Sequence, residues 1–440
     1  QTDNAGQSVS FTATSDVPSA TVQWQVSVNG GQFWTDIAGA TATTLSFTAN
    51  PSHNDNRYRA VFSSCGSKTT SANAVLTVAA GANANTLGLV ISEFRLRGNS
   101  VQPELDEYVE IFNNTTTDIT VSVTDGSAGW AIAAVNADGN GATVLGILPN
   151  GTVLPAKSHR LLVNNSVNGY SLGAVATGDL SFAADIGDDT GLAIFNTANP
   201  ANFATNTVID AVGFQLTGSM PALFREGTGL AALGNANSEY AWVRKLANGI
   251  ATDTNDNASD FVLVHPTGAT LNGVTAQLGA PGPENSASPI EVNRSLFGTL
   301  FDLSAAATAV PNQARDTTPV TNGDFGTLIL RRSFTNNTTK DIRQLRFRVF
   351  DITNAATGAE ADVRLLSSTT ATINGQAVAG LTLEQPPTQS AGGGVNAVVT
   401  VGTITPATPL TVGATVNVEF KLGVMRKGKY RFFLNIEALQ

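Results

Sequence analysis

Cysteine and charge are the scarce components of this 440-residue sequence. It contains one cysteine, Cys65, and two methionines. A lone cysteine excludes an internal disulfide framework and excludes cysteine zinc and iron–sulfur sites. Charged residues make up 13% of the chain, about half of the share that is usual in soluble proteins. A chain that avoids thiols and is poor in lysine suits an exported bacterial protein that works outside the cell.

Long apolar runs and helical periodicity are also missing. No run approaches the ~20 residues of a membrane helix, so the sequence predicts no membrane insertion. The sequence shows no signal peptide, so export would require a leader that was removed or lies upstream. Glycine and proline are scattered among runs rich in Thr, Val, Asn and Ala, the pattern of short strands joined by tight turns. The predicted fold class is therefore all-β.

Positive charge is too sparse and too local to predict nucleic-acid binding. The net charge is −10, concentrated in the middle of the chain, while the last third has a small basic excess. The one basic cluster runs from Arg331 to Arg348 on strand-like segments of an acidic chain. The overall field repels a polyanion, so we expect no nucleic-acid partner.

The first predicted module, residues 1–80, has the short and regularly spaced strands of a β-sandwich. Val22, Trp24 and Val26 alternate with polar residues, which predicts that they point into the core. Tyr58, Ala60 and Phe62 are spaced two residues apart, which predicts that they share one face of a strand.

The strings AGQSVSFTA, VQWQVSVNGGQFWTDIAGAT and NRYRAVFSSCGS in residues 1–79 resemble the immunoglobulin-like repeats of bacterial surface proteins. In those repeats a cysteine before AGQSV pairs with the cysteine of the CG element. Here Asn4 occupies the first position, so the resemblance implies that Cys65 is unpaired. It also implies that the chain starts after the first strand of such a sandwich, so that either it is a fragment of a longer protein or a strand from elsewhere completes its first sheet.

The second predicted module, residues 87–287, opens with two alternating strands around Phe94 and Val109. The strings DEYVEIFNN, LPAKSHRLLVNN, GLAIFNTANP and GAPGPENS are similar to the lamin-tail domain, an immunoglobulin-like sandwich of bacterial extracellular proteins, over residues 88–287. That resemblance implies a binding or spacing module without catalytic residues.

The third predicted module, residues 290–440, has the clearest strand alternation and resembles no family that we recognise. Apolar and polar residues alternate from Val416 to Leu422, so one face of this strand is expected to cover a core. The complete prediction is three serial antiparallel β-sandwiches.

No constellation of residues predicts catalysis. The histidines His53, His159 and His265 lie far apart in sequence, and nucleophile elbows, phosphate loops and zinc-protease motifs are absent. The sequence therefore predicts a protein that is not an enzyme and has no cofactor other than a candidate calcium ion.

The candidate metal ligands are Asp253, Asn255, Asn257 and Asp260. The first three have the i, i+2, i+4 spacing of a calcium loop, whose ligands are hard oxygen atoms. Ala258 and Val264 stand where an EF-hand needs glycine and an acidic residue, which excludes an EF-hand. The favoured alternative is that these side chains cap their own turn.

Two functions remain open. The preferred one is an extracellular structural subunit of a bacterial surface fibre, sheath or layer, whose partners are other copies of itself. The other is an adhesin or carbohydrate-binding segment whose partners are surface glycans, with Trp34 and Trp242 as candidate stacking platforms.

Overall fold

The fold was analysed in a computed structural model that describes residues 2–4, 8–17, 19–28, 30–48, 53, 56–64, 66–79, 87–135, 141–215, 222–247, 249–354 and 358–440. Strands account for 47% of the chain and helices for 3%, which confirms the all-β class. Residues 1–88 and 114–116 form one compact unit, and residues 89–113 and 117–440 form a second. No helix of the described residues is long and apolar enough to cross a membrane.

The first unit contains two layers of short strands. Among the described residues, β2 pairs with β5 alone, whereas β3 and β6 are central to a five-stranded sheet, and β1 pairs in parallel with β9. Its strands are β1 Thr2–Asn4, β2 Ser8–Thr12, β3 Thr21–Ser27, β4 Thr35–Asp36, β5 Thr44–Thr48, β6 Arg57–Ser64, β7 Ser67–Thr70, β8 Ala74–Val75 and β9 Thr77–Ala79.

The core of the first unit is built on aromatic side chains from both layers. Trp24 and Tyr58 are 2% and 4% exposed, and Val22 and Val26 are buried beside Trp24, which confirms the predicted inward face of β3. The rings of Phe11 and Tyr58 stack with centroids 4.9 Å apart. The indole N–H of Trp24 donates to the carbonyl of Ala42 at 2.9 Å, so the buried ring keeps its hydrogen bond. Cys65, predicted to be unpaired, lies outside the described residues.

The first half of the second unit pairs a seven-stranded sheet with a four-stranded one. The first has the order β17-β16-β11-β10-β20-β23-β26 and the second β14-β13-β18-β19. The strands are β10 Leu89–Arg95, β11 Tyr108–Asn113, β12 Ile119–Thr120, β13 Gly129–Val135, β14 Ala142–Pro149, β15 Val153–Leu154, β16 His159–Asn164, β17 Leu180–Phe182, β18 Leu192–Phe195, β19 Val208–Val212, β20 Ala241–Arg244, β21 Leu246–Ala247, β22 Ile250–Ala251, β23 Phe261–His265, β24 Thr270–Leu271, β25 Val274–Thr275 and β26 Gln277–Leu278.

In the described part of this unit, helical structure consists of single turns. One α-turn, α1, spans Asn257–Asp260, and short 3-10 turns span Pro103–Leu105, Pro200–Asn202 and Ala222–Phe224. These turns connect strands and form no layer of their own.

The second half of this unit is an eleven-stranded sheet. Its main path is β27-β37-β31-β35-β34-β36-β30-β28, with β29, β32 and β33 paired to its members. The strands are β27 Ile290–Glu291, β28 Leu296–Leu300, β29 Gln313–Asp316, β30 Thr327–Asn336, β31 Gln344–Ile352, β32 Asp362–Leu366, β33 Ala371–Ile373, β34 Gln376–Leu383, β35 Val398–Val401, β36 Thr415–Arg426 and β37 Phe432–Leu439.

One hydrophobic core joins the two halves of the second unit. Tyr108 and Leu161 of the first half and Phe347 of the second are fully buried in the same cluster. A backbone bridge adds to this contact, since the amide of Val395 donates to Leu278 at 2.9 Å. The second and third predicted modules thus lie in one compact unit, while the predicted module boundaries near residues 287 and 290 stay a prediction.

Candidate functional site

The predicted calcium loop forms a tight turn that its own side chains cap. Asp256 is the N-cap of α1, and its carboxylate accepts from the amide of Ser259 at 3.0 Å. The fully buried Asn257 accepts from the amides of Gly213 and Glu226, both at 3.0 Å, and donates to the carbonyl of Ala211 at 2.8 Å. The Asn257 amide group therefore anchors the loop to β19.

Asp260 and Asn255 are also used by the turn. The carboxylate of Asp260 accepts from the amide and the hydroxyl of Thr254 at 2.8 and 2.9 Å. Asn255 is exposed and has a positive φ of 57°, a conformation that asparagine tolerates better than most residues. The calcium ion predicted on these four residues stays a prediction.

Asp253 faces a different set of side chains, which we call the acidic cluster: Asp210 of β19, Glu226 and Asp253. One carboxylate oxygen from each lies within 4.8 Å of the others. Burial raises the pKa of Asp210 to about 7 and that of Glu226 to about 10, because the charged carboxylates have lost their hydration. The sequence pattern missed this cluster because its members come from three separate segments.

Arg244 is the cation beside the acidic cluster. Its guanidinium lies 2.6 Å from Asp210 and 3.9 Å from both Asp253 and Asp260. It also donates to the carbonyls of Ile91 at 2.7 Å and Thr252 at 3.0 Å, and its centre lies 4.5 Å from the ring of Phe261. Four acidic groups thus surround one fixed arginine.

A second buried charged set, which we call the charged seam, joins the halves of the second unit. It comprises Glu284, Arg346, Arg348 and Glu437. Arg348 lies 2.9 Å from Glu284 and 2.7 Å from Glu437, and Arg346 pairs with the same two glutamates. Arg346 and Arg348, two members of the basic cluster seen in the sequence, are therefore paired with glutamates inside the protein.

The three histidines are not brought together. His159 contacts Glu110 at 2.9 Å and Glu284 at 3.3 Å, while His265 lies near Ser238 and Thr267. His53 packs edge-on against Phe47 in the first unit.

The two tryptophans that sequence reasoning offered as glycan platforms are poorly placed for stacking. Trp242 is 5% exposed and buried in the core, so its assignment as a platform is wrong. Trp34 is half-buried, its indole N–H donates to Gly31 at 3.0 Å, and the guanidinium of Arg59 lies 4.1 Å from its ring centre.

An open polar cleft in the second unit is the alternative ligand site. Its volume is about 430 Å³, and it lies between the segment after β28 and the hairpin of β33 and β34. Phe301, Ser333, Asn374 and Gln376 contribute to its wall. Amide and hydroxyl groups beside one aromatic ring could form hydrogen bonds with a sugar.

Strands β2 and β5 of the first unit form the second candidate surface. Among the described residues, neither strand pairs with a third strand. Neither contains a charged residue or a proline, the features with which proteins usually protect exposed sheet edges. These two edges can accept a further strand.

Comparison with known proteins gives a family match within the first unit. The family model described as "Domain of unknown function (DUF8696)" matches residues 2–80. Endoglucanase C of Cellulomonas fimi is 46% identical over 74 residues, which are 17% of this chain and 6% of that protein. The chain thus corresponds to a small fraction of this curated relative.

One solved structure, a putative membrane anchored protein from Corynebacterium diphtheriae, aligns with 99% of this chain and 87% of its own. The sequence identity is 9% and the TM-score 0.15. A likeness of this size carries no argument about fold or function.

Proposed function

We propose that this chain is a non-catalytic, extracellular structural subunit of a bacterial surface assembly, and that it associates with other copies of itself. Residues 88–287 act in it as a lamin-tail-like spacer. The observation that carries the proposal is the two-stranded sheet β2–β5, whose outer edges lack a strand among the described residues. A two-stranded sheet is marginally stable by itself, so a strand added by a neighbouring copy would stabilise it.

Repeated strand addition explains how such a protein would form a polymer. A strand donated in one direction makes a head-to-tail contact, and contacts of this kind give open filaments when they do not close into a ring. The open edges support this proposal better than electrostatic attraction between copies does. Three arginines of the basic cluster, Arg331, Arg346 and Arg348, are already paired with glutamates within the chain.

Adding charge to the open edge tests the proposal. Ser10 is exposed on β2, so Ser10→Lys should leave the fold intact and hinder pairing with another strand. Purified wild-type protein should form concentration-dependent filaments or oligomers in electron microscopy and sedimentation, and the variant should not. Thr382→Lys is the matched control, because Thr382 is exposed on β34, which is paired on both sides. Wild-type protein that stays monomeric at high concentration would contradict the proposal.

The second candidate function is glycan binding at the polar cleft. The wall of this cleft and the short match to an endoglucanase favour glucans as the ligand class to test. Titration with soluble gluco-oligosaccharides should then give saturable binding that Gln376→Ala weakens. Binding that is unchanged in this variant would place any glycan site elsewhere.

A further inference from the structure

The carboxyl groups of the acidic cluster outnumber the guanidinium group beside them, which is that of Arg244. Asp210, Glu226, Asp253 and the neighbouring Asp260 all interact electrostatically with Arg244. Arg244 donates hydrogen bonds to Ile91, Thr252 and Asp210, and these three bonds hold its guanidinium group in place.

Buried carboxylate oxygens in this cluster lack a donor. Asp210 is fully buried, and its Oδ2 atom accepts from the amide of Ile91 and from Arg244, both at 2.6 Å, whereas its Oδ1 atom has no hydrogen-bond partner. The buried Oε2 atom of Glu226 also has none. An unsatisfied buried carboxylate oxygen costs free energy that a bound cation would recover.

We propose that Asp210, Glu226 and Asp253 bind a calcium ion. Two ligands of one ion cannot lie further apart than twice the metal–oxygen distance, which is about 4.6–5.2 Å for Ca²⁺ and about 4.0–4.2 Å for Mg²⁺. The three oxygens lie within 4.8 Å of one another, so all of them can be ligands of one calcium ion. All three are hard oxygen donors, which suit this cation.

The ion reaches the site from the side of Asp253. The side chain of Asp253 is 16% exposed, whereas that of Asp210 is fully buried. The site therefore differs from the loop that the sequence suggested, since of the four predicted ligands it uses only Asp253. The calcium site does not depend on the strand addition or on the glycan binding at the polar cleft that are proposed above.

Calcium titration of the full chain tests the assignment. Protein treated with EDTA and returned to metal-free buffer should bind one Ca²⁺ per chain in isothermal titration calorimetry, and its Tm should rise with millimolar CaCl₂. Glu226→Gln should abolish the Tm rise and weaken binding at least ~10-fold, because an amide oxygen is a weaker calcium ligand than a carboxylate oxygen. Asp210→Asn should have the same effects. If Asp210→Asn does not fold, the result for Glu226→Gln alone tests the calcium site.

Two variants serve as controls. Glu107→Gln changes another buried carboxylate, whose two oxygens already accept from Asn164 and the amide of Ile186, both at 2.8 Å, so calcium binding should be retained. Asn255→Gly keeps the positive φ and removes a ligand of the sequence-predicted loop, so binding should again be retained. The assignment is overturned if wild type shows no calcium response, if Glu226→Gln binds as tightly as wild type, or if Mg²⁺ acts equally.

Discussion

At the scale of single residues, the second unit depends on buried charges that are paired with high geometric specificity. Arg95 and Asp106 are both fully buried and form an ion pair. Arg95 also contacts Glu239 at 2.5 Å, and Asp106 accepts from the amides of Asn99, Ser100 and Ser171. A buried pair of this kind adds little net stability when intact, but the loss of one partner leaves a charge without compensation.

Arg95→Met should therefore lower the free energy of unfolding by about 3–5 kcal/mol. The matched control is Arg431→Met, because Arg431 is half-exposed and its pairs with Asp351 and Glu360 are in contact with solvent. That change should cost at most about 1 kcal/mol. Urea denaturation followed by tryptophan fluorescence measures both, and equal losses in the two variants would refute the distinction.

His53 makes the first unit sensitive to acid. Burial lowers its pKa to about 4, so the folded chain holds the neutral imidazole while the unfolded chain takes up a proton near pH 6.5. Stability from this group is complete above about pH 6.5 and is lost as the pH falls toward 4. At pH 5 the loss is about 2 kcal/mol.

His53→Phe should remove this dependence and keep an aromatic ring against Phe47. Denaturation curves of the variant and wild type should nearly coincide at pH 7, and the variant should be the more stable at pH 5. Parallel pH profiles for the two proteins would show that His53 does not titrate in this way.

At the scale of elements, close backbone contact holds the third predicted module against the second. A Cβ atom on Gly394 would lie 1.9 Å from the carbonyl oxygen of Leu278, next to the hydrogen bond between Val395 and that carbonyl. Gly394 and Val395 lie in the loop between β34 and β35. Its role in joining two sheets depends on Leu278, which is distant in sequence.

Gly394→Ala should separate these segments and destabilise the protein by about 1–3 kcal/mol. Gly402→Ala is the matched control, since no atom lies within 4 Å of its added Cβ, and it should change stability by less than about 0.5 kcal/mol. Thermal melting of both variants tests this, and an unchanged Tm for Gly394→Ala would mean that the backbone contact is loose.

At the scale of the whole molecule, the shared core predicts how the second unit unfolds. The cluster that contains Tyr108 and Phe347 draws on both halves, and the charged seam crosses the same contact. A fragment of residues 89–440 should therefore unfold in one cooperative transition in calorimetry. A fragment of residues 89–288 should aggregate or melt without cooperativity, because it exposes that core. A cooperative transition in the shorter fragment would instead support the independent second module expected from the sequence.

The sequence by itself determined the all-β class and the inward faces of strands such as β3, because side-chain direction alternates with every residue and is encoded locally. It also located the turn of residues 253–260, whose caps lie within the turn itself. Only the tertiary structure brought Asp210, Glu226 and Asp253 together and paired Arg346 with Glu284. These contacts join segments that are distant in the chain, so they depend on sheet order and packing, which local patterns do not contain.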